Sequence, residues 1–167
     1  VSFSGEELGL YGSKHFVEHA AVDVKNINYM INMDMIGRLN DSTHGLTVGG
    51  FGTSPSWAEI IKTDNKYFKI KVDSAGSGPS DHTSFYRKDI PVLFFFTGTH
   101  GDYHKPSDDA EKINYKGELA VVNYIKEIIA ATNSRSKLVF TKTKEPVMSK
   151  SSFKVTMGIL LDYTFTG

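Results

Sequence analysis

Near the start of the chain two glutamates stand side by side, Glu6 and Glu7, between Gly5 and a stretch punctuated by Gly9 and Gly12. Neighbouring side chains at the end of an extended segment point to different sides, so two adjacent carboxylates can divide their work. One can bind a metal while the other handles a proton. Two further stretches offer groups of the same kind: Asp34 closes the run Asn32-Met33-Asp34, and His104 lies in the polar run Gly101-Asp102-Tyr103-His104-Lys105-Pro106-Ser107-Asp108-Asp109. One histidine and two carboxylates arriving from different strands make a zinc ligand set, and a spare glutamate beside them would complete a hydrolase. By residue type alone the carboxylates read as well as caps of the helices that follow them.

For these groups to meet, the elements that carry them must end at one edge of a sheet. Residues 27–35 are apolar with polar interruptions and predict a central strand that delivers Asp34 to its end, with an extended first segment (Val1, Phe3) doing the same for Glu6 and Glu7. Residues 91–96 are continuously apolar, as in a strand covered on both faces, and the polar loop with His104 follows directly. Shorter strands are expected at 46–48 and 68–72. Helices are expected from a Ser13 cap to about residue 21, over 55–67 behind Ser54, from Asp81 to about Arg87, and over 115–132, where Leu119, Val122, Ile125, Ile129 and Ala130 form one stripe. Strands alternating with helices predict an α/β fold, layered, with a mostly parallel central sheet flanked by helices and its functional groups at the carboxyl ends of the strands.

Composition narrows the partners. The 19 acidic and 19 basic residues among 167 leave no net field to attract nucleic acid or an anionic membrane surface. With no cysteine, disulfides and thiolate sites are excluded and His, Asp and Glu are left as ligands. No apolar run has the length of a membrane span.

Four strings resemble the successive motifs of the co-catalytic zinc aminopeptidases, which include bacterial secreted leucyl aminopeptidases and the related glutamate carboxypeptidases. They are Ser4-Gly5-Glu6-Glu7-Leu8-Gly9-Leu10-Tyr11-Gly12-Ser13, Asn32-Met33-Asp34-Met35-Ile36-Gly37, Ser80-Asp81-His82-Thr83-Ser84-Phe85 and Tyr103-His104-Lys105-Pro106-Ser107-Asp108. The resemblance implies that Glu6 is the general base, that Glu7 and His104 ligate one zinc and that Asp34 ligates a second. It also implies a substrate-binding role for His82, near an oxyanion, a peptide substrate with a free N-terminus, and an extracytoplasmic (periplasmic or secreted) location. Asp81 is read either as part of the pocket or as a helix cap, and Asp108 as a partner of His104 or a residue supporting the site. Arg38, next to the Asp34 motif, is read either as reaching the site or, by preference, as a surface ion pair, and His15, His19, His44 and His100 as surface or packing residues.

In that family a further histidine and a metal-bridging aspartate come from a region upstream of the glutamate pair. The chain begins at Val1, within an apparent strand, so it is expected to be the C-terminal part of the catalytic domain, to bind zinc poorly by itself and to be inactive alone, with exposed sheet edges that invite self-association. Residues 1–133 are assigned to the catalytic domain and residues 134–150, rich in Lys, Ser and Thr, to a linker. Residues 151–167 resemble the opening of a PDZ-like domain. Two other functions stay open: a glutaminyl cyclase-like single-zinc acyltransferase, and a non-catalytic peptidase-like scaffold.

Overall fold

A computed structural model describes residues 1–144, so the expected PDZ-like opening lies outside the described residues. Four strands, β1 (Met30–Asp34), β2 (Gly45–Gly49), β3 (Lys69–Val72) and β4 (Val92–Phe96), form one sheet in the order β1-β4-β2-β3. β1 runs parallel to β4, from Met30 opposite Val92 to Asp34 opposite Phe96, and β2 runs parallel to β3. β2 and β4 are antiparallel, so the sheet is mixed while two of its three pairings are parallel. The fold is α/β, as expected.

Four helices, α1 (Tyr11–His19), α2 (Trp57–Ile60), α3 (His82–Tyr86) and α4 (Tyr115–Asn133), cover the two faces. Alternation along β4 divides the apolar side chains between them. Leu93 and Phe95 join Leu46, Val48, Trp57, Val121, Ile125 and Ile128 under α2 and α4. Val92 joins Val17, Phe85, Tyr86 and Ile90 under α1 and α3. Val92, Leu93 and Phe95 are fully buried, which is the burial a continuously apolar strand requires.

Several local expectations are corrected. Ser13 does not cap α1: Leu10, in the left-handed region at φ 63°, holds that position, and Ser13 is buried inside the helix with its Oγ 2.8 Å from Ser84 Oγ of α3. The helix expected over 55–67 is the single turn α2: the backbone turns extended at Ile61, and further on Asn65 Oδ1 accepts from the backbone N–H of Tyr67 and Phe68 in a polar turn. The stripe expected on α4 is out of phase at all of its positions but Ile125, which is buried. Leu119, Val122 and Ile129 are exposed, and the buried side is Gly117, Val121, Tyr124, Ile125, Ile128 and Thr132. Apolar residues occur on several sides of this helix, so spacing alone could not choose among them; its first turn does. A Cβ at Gly117 would lie 2.9 Å from Leu39 Cβ, so that side must face Leu39. Asn114 caps the helix through Gly117 N–H while donating to Leu39 O.

After α4 the described part of the stretch read as a linker runs back over the domain. Leu138 is buried, its N–H donates to Asn28 Oδ1 at 2.7 Å, Thr141 N–H donates to Thr53 O at 2.8 Å, and Thr143 N–H donates to Tyr86 Oη at 3.0 Å.

Candidate active site

Parallel pairing of β1 with β4 puts their carboxyl ends at one edge of the sheet, and that edge brings Asp34 and the 97–109 loop together. The two exits are tied directly: Met35 turns off β1 at φ 53°, and its carbonyl accepts from Thr97 Oγ1, at the start of the loop after β4, at 2.5 Å.

Glu6 and Glu7 do not follow a strand, contrary to expectation; residues 1–5 enter no ladder, and the pair sits in a tight turn instead. Glu6 O accepts from both Gly9 N–H and Leu10 N–H at 2.9 Å. Gly9 stands at φ 116°, a conformation open to glycine and hostile to side chains. Gly12 N–H reaches Ser4 O at 2.8 Å, and a Cβ on Gly12 would lie 2.6 Å from that oxygen. The glycine spacing around the glutamates is therefore the geometry of the turn that presents them.

The turn and the loop meet through one pair. Glu7 Oε1 lies 3.1 Å from His104 Nε2, with both side chains more than half exposed. His104 holds φ 54°. That conformation is uncommon for a residue with a side chain, although histidine adopts it more often than most, and Leu10, Met35, His44 and Asp89 share it here. Glu6 is different: burial first, then the negative charges of Asp34, Glu7 and Asp81, push its carboxyl above the usual range, while a hydrogen bond with Ser80 pulls the other way. Three further carboxylates thus stand within electrostatic reach of one whose proton affinity is raised.

Behind Glu6 lies a polar layer that residue-type reasoning did not single out. Asn32 stands two residues before Asp34 and so on the same face of β1. It donates from Nδ2 to Ser80 Oγ at 2.7 Å. That nitrogen is also 3.5 Å from His82 Nδ1. Strand period could have found Asn32, and both Asn32 and Ser80 lie in motif strings. His82 is 2 % exposed, its ring stacks on Phe94 with centroids 4.6 Å apart, and burial lowers its pKa to about 4. Asp81 precedes α3 but makes no capping bond, and its Oδ1 is buried without a hydrogen-bond partner.

Arg38 is more than a surface pair. Its Nη1 donates to Asp108 Oδ1 at 2.6 Å and its Nη2 to Asp102 Oδ2 at 2.8 Å. Asp102 also accepts from Lys112 at 2.7 Å and Ser107 at 2.8 Å; Lys112 first, then Arg38 and Ser107, hold its carboxyl well below the usual range. Asp108 thus pairs with Arg38, and its Oδ2 lies 3.6 Å from His100 Nε2. The remaining histidines have local partners: His15 and His19 stack on each other, and His44 stacks on Tyr67.

Imidazole nitrogen and carboxylate oxygen are zinc donors, and two ligands of one tetrahedral zinc with bonds of about 2.0–2.2 Å stand roughly 3.3–3.5 Å apart. The Glu7–His104 separation of 3.1 Å is close to that spacing. The pair fits in kind and falls short in number, since among the described residues no three His, Asp or Glu side chains gather as a metal-holding group.

Residues 1–129 match peptidase family M28. The chain belongs to that family. It is 32% identical over 116 residues to leupeptin-inactivating enzyme 1 of Streptomyces exfoliatus, covering 66% of this chain and 24% of that protein. It is 30% identical over 125 residues to aminopeptidase YwaD of Bacillus subtilis, covering 68% and 27%. The fold resembles the Legionella pneumophila LapA aminopeptidase, with a TM-score of 0.65 at 24% identity over 80% of this chain and 38% of that one. It also resembles BSAP, a zinc aminopeptidase from Bacillus subtilis, with a TM-score of 0.66 at 23% identity over 83% and 37%. The chain therefore spans about a quarter of the length of these curated relatives. Among its described residues no helix is long and apolar enough to cross a membrane.

Proposed function

We propose that this M28 chain is part of a zinc-dependent aminopeptidase that hydrolyses N-terminal peptide bonds, and that the glutamate pair divides the work as Glu6 for the proton and Glu7 for the metal. The observation that carries the reading is the contrast between the two: Glu7 is exposed and stands 3.1 Å from His104, while Glu6 is set back with a raised proton affinity. Glu7 and His104 would hold one zinc, and Asp34 would contribute to a second. Zinc bound there supplies acidification of a water molecule and polarisation of the scissile carbonyl.

The chain's own residues do the rest. Glu6 accepts a proton from the attacking water and returns it to the leaving amine, a role suited to a carboxyl whose pKa is raised toward neutrality. Ser80, held by Asn32, fixes the orientation of the Glu6 carboxylate. His82 lies beneath Asn32 and Ser80, and its burial favours support of that layer over direct contact with a peptide. The reading includes two zinc ions per complete site, an extracytoplasmic location, and residues 151–167 as the opening of a PDZ-like domain. Aminopeptidases among the relatives favour it over the acyltransferase and scaffold alternatives.

The test is Glu6→Gln in the complete protein, assayed on an aminoacyl anilide. Loss of the base is expected to lower kcat about 100- to 10,000-fold with KM and zinc content little changed. An unchanged rate removes Glu6 from the proton role. The 167-residue chain supplied with zinc is expected to give no turnover.

A further inference from the structure

The loop that presents His104 is poorly secured by packing. No residue from 101 to 109 is buried, so apolar contact does little to fix where its histidine stands. Its backbone closes on itself through short turns, Tyr103 N–H to His100 O at 3.1 Å, Lys105 N–H to Asp102 O at 2.9 Å and Asp108 N–H to Lys105 O at 3.1 Å. These bonds shape the loop without tying it to the sheet. His104 must also be kept in the left-handed region, which a side chain leaves readily unless its surroundings hold it.

Arg38 supplies that hold. It ends the short 3₁₀ turn Ile36–Arg38, which leaves β1 just beyond Asp34, and its side chain is 19% exposed. One guanidinium forks between two carboxylates of the loop, Asp102 two residues before His104 and Asp108 four residues after it. The planar fork of an arginine can grip two acceptors in one fixed geometry, which a lysine ammonium cannot do. Lys112 and Ser107 complete the coordination of Asp102. The turn under Arg38 is anchored in its own right, since Asn114 N–H donates to Gly37 O at 2.8 Å where α4 begins. A charged bracket therefore runs from the turn just beyond Asp34 to both flanks of His104.

We propose that Arg38 is a positioning residue of the metal site: by gripping Asp102 and Asp108 it holds the His104 loop in register with Glu7 and Asp34. The inference rests on the reading of His104 as a zinc ligand. An isolated surface ion pair would contribute little. Here the same contacts bracket a ligand on a loop that has no buried side chain, so their loss is read at the metal before it is read in the fold.

Arg38→Ala, Arg38→Lys and His104→Ala in the complete protein separate the possibilities, with zinc affinity measured by chelator competition, kcat and KM measured on an aminoacyl anilide, and melting measured without metal. Arg38→Ala is expected to weaken zinc binding about 10-fold or more, the scale on which residues that orient ligands act. It should lower kcat at limiting zinc, recover much of it in excess zinc, and leave KM and metal-free melting close to the wild type. Arg38→Lys, able to engage one carboxylate well, should fall between. If Arg38→Ala fails to fold, Asp108→Asn removes one arm of the bracket and should weaken zinc binding about 3-fold or more. Wild-type zinc affinity in Arg38→Ala, or in Asp108→Asn when that variant replaces it, overturns the inference. If His104→Ala also keeps wild-type affinity, the ligand reading beneath it has failed; if His104→Ala loses zinc while Arg38→Ala does not, only the role of Arg38 is wrong.

Discussion

His82 gives the fold an acid-sensitive point whose size can be worked out in advance. Its ring is enclosed by Phe94 and Asn32 at 2 % exposure, and burial holds its pKa at about 4 against an ordinary value of 6.5. In the unfolded chain the imidazole binds a proton as pH falls through about 6.5; in the folded chain it stays neutral until about pH 4. The unfolded state therefore takes up the extra proton in that window, and stability present above about pH 6.5 is lost on acidification, levelling off below about pH 4. The whole window is worth about 3 kcal/mol, and pH 5 already removes about 2 kcal/mol. The perturbation is His82→Gln, which cannot titrate. Trp57, the only tryptophan and fully buried, reports unfolding by urea in metal-free buffer. Between about pH 7.5 and about pH 5 the wild-type chain should lose about 2 kcal/mol more than the variant, whatever the substitution costs at the upper end, because the carboxylates contribute equally to both. Equal losses within about 0.5 kcal/mol would refute the claim that this histidine is buried neutral.

Two other predictions test the local geometry. Gly12→Ala places a Cβ 2.6 Å from Ser4 O and 2.7 Å from Ser4 N, whereas Gly101→Ala places one with nothing within 4 Å. By urea unfolding the first should cost about 2 kcal/mol and the second should stay within about 0.5 kcal/mol. The phase of α4 is checked by truncating one buried residue, Val121, and one exposed residue, Leu119. Val121→Ala is expected to cost about 2 kcal/mol and Leu119→Ala to change stability by less than about 0.5 kcal/mol; the reverse order would restore the stripe that periodicity suggests.

What could be read in the sequence and what could not divide along physical lines. Strands β1, β2 and β4 and the long helix announce themselves because period and apolar content are local properties, and β4 as a continuously apolar run also announces its burial on both faces. The phase of α4 was hidden because several of its sides are apolar, and the deciding contact, Gly117 against Leu39, joins residues far apart in the chain. The one-turn length of α2 was hidden because the helical spacing of Trp57, Ile60 and Ile61 continues past Ile60, where the backbone turns extended.

The candidate site shows the same division more sharply. Glu6, Glu7, Asp34 and His104 stand out by type and by motif, yet their types alone left open whether they meet. Parallel pairing of β1 with β4 sends Asp34 and the His104 loop to the same edge, and the separate turn of the glutamates puts Glu7 beside His104 and Glu6 within electrostatic reach of Asp34. Residues that act through others left the weakest trace. Asn32 is recoverable because strand period puts it on the face of Asp34, and Ser80 because it lies in a motif string. Arg38 carries only its place beside the Asp34 motif, which leaves a surface ion pair as the simpler reading; its two partners are carboxylates of a loop more than sixty positions away. The ion pairs of Arg38 with Asp102 and Asp108 are defined by pairwise distances, which only the folded chain contains.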